Sequence, residues 1–109
     1  MSVYGKRLNH EFLDPNMCFC AWLIGGSIGK AQKRLIDEGI FNPVSNEPPS
    51  RMGVWFSAKK SPMYAEFMRL RIEQGNLSER PSKEEFDQAM AEFKRCSLNY
   101  HAKFDAKAV

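Results

Sequence analysis

Three cysteines and two histidines, Cys18, Cys20, Cys96, His10 and His101, are the residues of this chain whose types could hold a soft metal. Their spacing argues against a zinc site. A Cys-x-Cys pair is not the usual chelating turn, and Cys96 and His101, five apart on a helix, point about 140° away from each other. Thiols in an apolar core account for the cysteines better. An odd cysteine count without a CxxC pair also fits no closed disulfide framework, which favours a reducing cytoplasm. For nucleophilic chemistry the chain offers no Ser/His/Asp spacing, no nucleophile elbow and no metalloprotease helix. Gly25-Gly26-Ser27-Ile28-Gly29 lacks the lysine of a phosphate-binding P-loop. A helix starting after two glycines can bind an anion through free backbone N–H groups, but a tight strand-to-helix turn explains the glycines equally well. The expectation is a protein without catalytic residues, metal or cofactor.

The remaining chemistry is charge. Sixteen Lys and Arg against thirteen Asp and Glu give a net charge of +3. Residues 1–29 balance at zero and residues 72–109 carry −1. The excess sits in residues 30–71, where Lys30, Lys33, Arg34, Arg51, Lys59, Lys60, Arg69 and Arg71 face only Asp37, Glu38, Glu47 and Glu66, a net +4. That stretch is the candidate surface for phosphates or for an acidic partner, with a merely solvated basic surface as the plain alternative.

The elements that must position these residues come from a chain of 109 residues, 43% hydrophobic and 27% charged, the size of one domain. No apolar run is long enough to span a bilayer, and no signal-like N-terminal segment is present. Residues 1–13 show no periodicity and read as an irregular N-terminal segment. Met17 to Ile24 is apolar on both faces and ends at Gly25-Gly26. It fits a strand buried on both sides; a short buried helix with Asp14 as N-cap and Pro15 at the first helical position is the competing reading. Ser27 caps a helix that Gly39 stops, with Ile28, Ala31 and Leu35 on one face. Ile40–Val44 reads as a short edge strand, 45–53 as an exposed loop, and Val54–Ser57 as a further strand, so that 40–57 forms a hairpin with a long tip. Ser61 and Pro62 open a helix that Gly75 closes. A polar connector over Leu77–Pro81 leads to a capping box, Ser82 with Glu85, and a long amphipathic helix to about Asp105. The expected fold class is α+β: a small sheet from 17–24, 40–44 and 53–57, packed by helices at 27–38, 61–74 and 82–105.

Two family resemblances bear on function. Residues 27–57 resemble the second half of a winged helix-turn-helix domain. Ile28 and Leu35 would be the buried residues of its recognition helix, and Lys30, Lys33 and Arg34 would face DNA. Gly39-Ile40 would lead into a two-stranded wing with Arg51 near its tip. The order Ile24-Gly25-Gly26-Ser27, Ala31, Leu35, Gly39-Ile40, Gly53-Val54-Trp55-Phe56-Ser57 and Tyr64-Ala65 is similar to that of ADP-ribosyltransferase-like domains. This resemblance implies an inactive relative. Ile24 stands where such proteins have the NAD-contacting histidine, Trp55 stands at the ring-stacking tyrosine, and no later strand carries a catalytic glutamate.

Along the last helix Phe86, Met90, Phe93, Tyr100 and Phe104 follow a spacing of three and four, broken at Ser97. Phe86, Met90 and Phe93 read as core; Tyr100 and Phe104, beyond the break, read as a surface for a partner or for a second copy. The favoured function is non-catalytic nucleic-acid binding, as in small regulators of bacteria, phages or plasmids. Lys30, Lys33, Arg34 and Arg51 would be the contacts, with Lys59 and Lys60 as phosphate anchors. The alternative is a small inhibitor or accessory protein that binds another protein.

Overall fold

The computed structural model describes residues 12–75 and 80–104. His10, most of the irregular N-terminal segment, most of the connector before Pro81 and Asp105 lie outside them. Among the described residues the chain forms five helices and no strand: α1 Pro15–Gly25, α2 Ile28–Asp37, α3 Arg51–Lys59, α4 Pro62–Gln74 and α5 Lys83–Phe104. The expected α+β arrangement is thereby corrected to an all-helical one. Helices α2, α4 and α5 stand where caps and periodicity put them, whereas the three segments expected as strands are a helix, a loop and a helix.

Residues 17–24 belong to α1, and its ends explain why. The Asp14 carboxylate accepts the backbone N–H groups of Asn16 (2.8 Å) and Met17 (3.3 Å), and Pro15 occupies the first turn. Gly26, at φ 87°, takes the left-handed conformation that closes the helix, its N–H donating to the Trp22 carbonyl at 2.7 Å. The run carries no period because α1 is the central helix: it contacts α2, α3, α4 and α5, so every side of it needs an apolar residue. Met17, Cys18, Cys20 and Ala21 are wholly buried. The small residues among them let neighbouring backbones approach.

Residues 53–57, the third expected strand, lie in α3. Ser50 Oγ accepts the Gly53 N–H at 3.0 Å, an N-cap that three β-favouring residues in a row, Val54 to Phe56, disguised. Gly53, Val54, Ser57 and Ala58 face inward at helical spacing, while Met52 and Phe56 face solvent. Residues 40–44 are neither strand nor hairpin arm. Asn42 Oδ1 accepts the N–H groups of Val44 (2.8 Å) and Ser45 (3.2 Å), and Asn46 adopts a positive φ of 63°. The loop is pinned at both ends. Ile40 is buried and donates to the Leu35 carbonyl at 3.0 Å, and Gln32 Nε2 donates to the Pro49 carbonyl at 2.9 Å.

Along α5, Phe93 is buried as expected, but Phe86, Met90 and Tyr100 run opposite to expectation. The inward face is Ala89, Phe93, Cys96, Ser97 and Tyr100, while Phe86 and Met90 are 38% and 42% exposed. Tyr100 is buried. Its hydroxyl accepts the Phe41 N–H at 3.2 Å and donates to the Phe41 carbonyl, so one side chain satisfies both backbone groups of a loop residue. Phe12 meets the Tyr100 ring edge-on at 6.5 Å between centroids, and Phe12 and Leu13, expected to be irregular, belong to the core. Phe104 is half-buried, 4.8 Å from the same ring.

At the other end of α5 the tie is ionic. Arg71 of α4, 3% exposed, donates to Glu85 Oε1 at 2.8 Å and to Glu85 Oε2 at 3.3 Å, with its guanidinium 4.1 Å from the Phe67 ring centroid. Glu85 also completes the capping box with Ser82, through contacts of 2.9 and 3.1 Å. A polar chain joins three helices: Ser61 Oγ donates to Asn16 Oδ1 (2.6 Å), and Asn16 Nδ2 donates to Glu92 Oε2 (3.2 Å).

Candidate nucleic-acid interface

Among the described helices α2 offers the strongest polar-to-apolar contrast. Ala31 and Leu35 are wholly buried, and Lys30 and Lys33 lie on the exposed side. Ser27 Oγ caps the helix by accepting the Lys30 N–H at 3.2 Å. Lys33 pairs with Asp37 one turn on, at 3.2 Å, an exposed contact worth little in water. Arg51, nineteen residues away from Gln32 in sequence, opens α3 with its Nε donating to Gln32 Oε1 at 3.2 Å. Its guanidinium lies over Gly29. Arg51 is thus brought from α3 against the helix that carries the exposed Lys30 and Lys33.

The other candidate cations are deployed differently. Arg34 is partly buried and turns towards α5, its guanidinium 6.0 Å from the Phe93 ring centroid. Lys59 and Lys60 close α3, about 12 Å along its axis from Arg51. The Lys59 ammonium lies 5.2 Å from the Trp55 ring centroid. Of the two residues expected to meet a partner, Tyr100 is a buried anchor and Phe104 packs half-buried upon it.

Next to the basic face opens a cleft of about 770 Å³ between the end of α1, the start of α2, α4 and the start of α5. Trp22, Phe67 and Phe86 give it an aromatic wall, and Lys30 and Arg80 bring positive charge to it. Gly25 suits this junction: a Cβ there would stand 3.0 Å from the Lys30 Cβ, so α2 would have to shift by a few tenths of an ångström. The glycine pair therefore serves a helix-to-helix turn, not the strand-to-helix turn expected for it. Neither Lys30 nor Arg80 has an ion-pair partner among the described residues. Arg80 and the aromatic wall were not singled out from the sequence as site residues. They come from four separate elements, and no local spacing connects them.

The thiols are chemically quiet. Cys18, Cys20 and Cys96 are free and buried, and burial pushes Cys20 and Cys96 up to about 12 and Cys18 higher still. They remain protonated at neutral pH and act as small apolar groups. Cys20 Sγ lies 3.9 Å from Met63 Sδ, and Cys96 Sγ lies 3.6 Å from Glu92 Oε2. Among the described residues no three His, Cys, Asp or Glu side chains converge on a possible metal position. No helix there is long and apolar enough to cross a membrane. No protein-family model, curated protein or solved structure matches the chain.

Proposed function

We propose that the protein is a small, non-catalytic, cytoplasmic nucleic-acid-binding regulator that meets phosphates with the basic face shared by α2 and α3. One observation carries the reading. Arg51, remote in sequence, is held by Gln32 over Gly29, against the same helix that carries the exposed Lys30 and Lys33, so two helices contribute cations to one region of the surface. Held cations on a helix surface are suited to phosphate oxygens, which position a nucleic acid without reading its sequence. Arg34, partly turned inward, and Lys59 and Lys60, at the far end of α3, contribute at the margin of this face.

Fluorescence anisotropy with labelled DNA at ~150 mM salt tests this, since a weak non-specific attraction fades there. Lys33→Glu combined with Arg51→Glu should weaken binding at least ten-fold while the circular dichroism spectrum is unchanged, because both side chains lie outside the core. Unchanged affinity in that folded double variant would remove the basic face as the interface.

A second reading, pairing of two copies along α5, is favoured by the exposure of Met90 and Leu98, at 42% and 61%, one turn either side of Lys94. Light scattering decides it: a dimer that Leu98→Glu splits supports pairing, and a monomer at high concentration excludes it.

A further inference from the structure

The aromatic cleft beside the basic face has no part in phosphate binding by α2 and α3 alone, yet it shares Lys30 with that face. We propose that the cleft receives an unpaired base of a single-stranded nucleic acid, stacked on Phe86 with its edge against Trp22 and Phe67, and with the flanking phosphates met by Lys30 and Arg80. The inference rests on the nucleic-acid reading above and names the form of nucleic acid.

Three observations converge on it. The cleft, at about 770 Å³, is within the range of sites that enclose small organic groups, and it is open enough to admit a base with its sugar. Its wall is aromatic, with Trp22 and Phe67 held by neighbouring rings and by Arg71, and with Phe86 as the ring left open. Trp22 and Phe67 are half-buried, 6.1 Å apart and nearly perpendicular at 82°, while Phe86 is 38% exposed and meets no other ring among the described residues. An amphipathic helix gains nothing for its own stability from an exposed Phe; a base laid on that ring would cover it. Its charge is of one sign: Lys30 and Arg80 are the cations lining it, and no Asp or Glu lines it.

These features select a single strand over a duplex. In a duplex both faces of every base are covered by neighbouring bases, so no base face is free to meet an aromatic side chain. A strand with unstacked bases offers a π face at every nucleotide and a phosphate between each pair, which is the alternation the cleft presents. Lys30 stands where the two surfaces join, so a strand leaving the cleft runs onto Lys33 and Arg51.

The test compares oligothymidine and oligouridine probes of about 12 nucleotides with a DNA duplex of the same length, using full-length protein. Wild type should bind the single strands about ten-fold more tightly than the duplex and show quenched tryptophan fluorescence with them alone. Phe86→Ala should cost about ten-fold on the single strands with the duplex unaffected, and Phe86→Trp should restore binding. Preference between the thymidine and uridine probes assigns the strand to DNA or to RNA. Single-strand affinity untouched by Phe86→Ala overturns the cleft assignment, as does thymidine monophosphate binding as tightly as the 12-mer. If the duplex binds as well as the strands and loses affinity in the Lys33→Glu/Arg51→Glu variant, the cleft proposal fails and the basic-face reading stands. If no probe binds, both fall.

Discussion

At its C-terminal end α5 is fastened by Tyr100, whose ring lies among Phe12 and Phe104 and whose hydroxyl takes both backbone groups of Phe41. His101 adds a contact there, its Nε2 donating to the Glu38 carbonyl at 2.8 Å. About 22 Å along the same helix, the N-terminal end is fastened by one ion pair, Arg71 with Glu85. The first end excludes water with apolar surface, so its strength should depend little on salt or pH. The second is a charge pair at the edge of the fold, whose worth depends on Glu85 remaining ionised. The backbones of α4 and α5 do not pack together, and the aromatic cleft opens beside that gap. The tightly packed end therefore carries stability, and the loosely packed end leaves the cleft open; the proposed binding there fits the rule that binding surfaces are drawn from the less stable parts of a fold.

The contrast breaks most severely at Tyr100. Tyr100→Ala empties a buried aromatic site and leaves Phe41 unpaired, and should cost about 3–5 kcal/mol of the ~5–15 kcal/mol available to a domain of this size. Urea denaturation measures it; a loss under ~1 kcal/mol would mean that the ring is dispensable and the two ends are alike. Next comes Arg71→Met, which keeps the apolar stem over Phe67 but abandons Glu85. Breaking a buried pair costs about 3–5 kcal/mol when the remaining charge stays buried. Glu85, whose side chain is 25% exposed, can partly rehydrate, so about 2 kcal/mol is expected.

Acid sharpens the same contrast. The Arg71 guanidinium beside it holds the Glu85 carboxyl below the usual carboxylate range. A carboxyl lowered on folding contributes stability that is present above its unfolded pKa, about 4.3, and that is lost as pH falls through the folded value. The urea midpoints of wild type and Arg71→Met should therefore converge below pH ~4. Glu92, lowered by Arg95, adds a slope common to both proteins. Midpoints that stay apart down to pH 3 would show that the pair does not govern the acid response. The smallest effect belongs to Phe86→Ala. An exposed ring at the open end should cost less than about 1 kcal/mol, and a melting temperature that falls as far as in Tyr100→Ala would make Phe86 part of the core and the cleft a closed one.

Legibility followed the range of each signal. Ser27 and Gly39, Ser61 with Pro62 and Gly75, and the Ser82–Glu85 box mark α2, α4 and α5 because a cap acts within one turn of the backbone that it satisfies. The same kind of signal was present for α1, in Asp14 and Pro15, and for α3, in Ser50. In α1 the cap stands as the competing reading but is outweighed by a run apolar on every side, and in α3 a short β-favouring run hides it. Periodicity reports how many sides of an element are covered, and a helix covered on all sides has none to report. In the site, the exposed position of Lys30 and Lys33 follows from the helical spacing of Ala31 and Leu35. The apposition of Arg51 does not, since it depends on how the loop of residues 38–50 folds.

What the sequence determined by itself is therefore the ends of α2, α4 and α5, the amphipathic character of α2, and a basic middle third. The tertiary structure alone decided that Tyr100 is an anchor while Phe86 is free, that Arg71 is buried against Glu85, and that Arg80 reaches the cleft of Trp22 and Lys30. The physical reason is that capping and propensity are settled between residues a turn apart, whereas burial is settled by whichever remote surface arrives. Phe41 arrives over Tyr100, and among the described residues no ring arrives over Phe86.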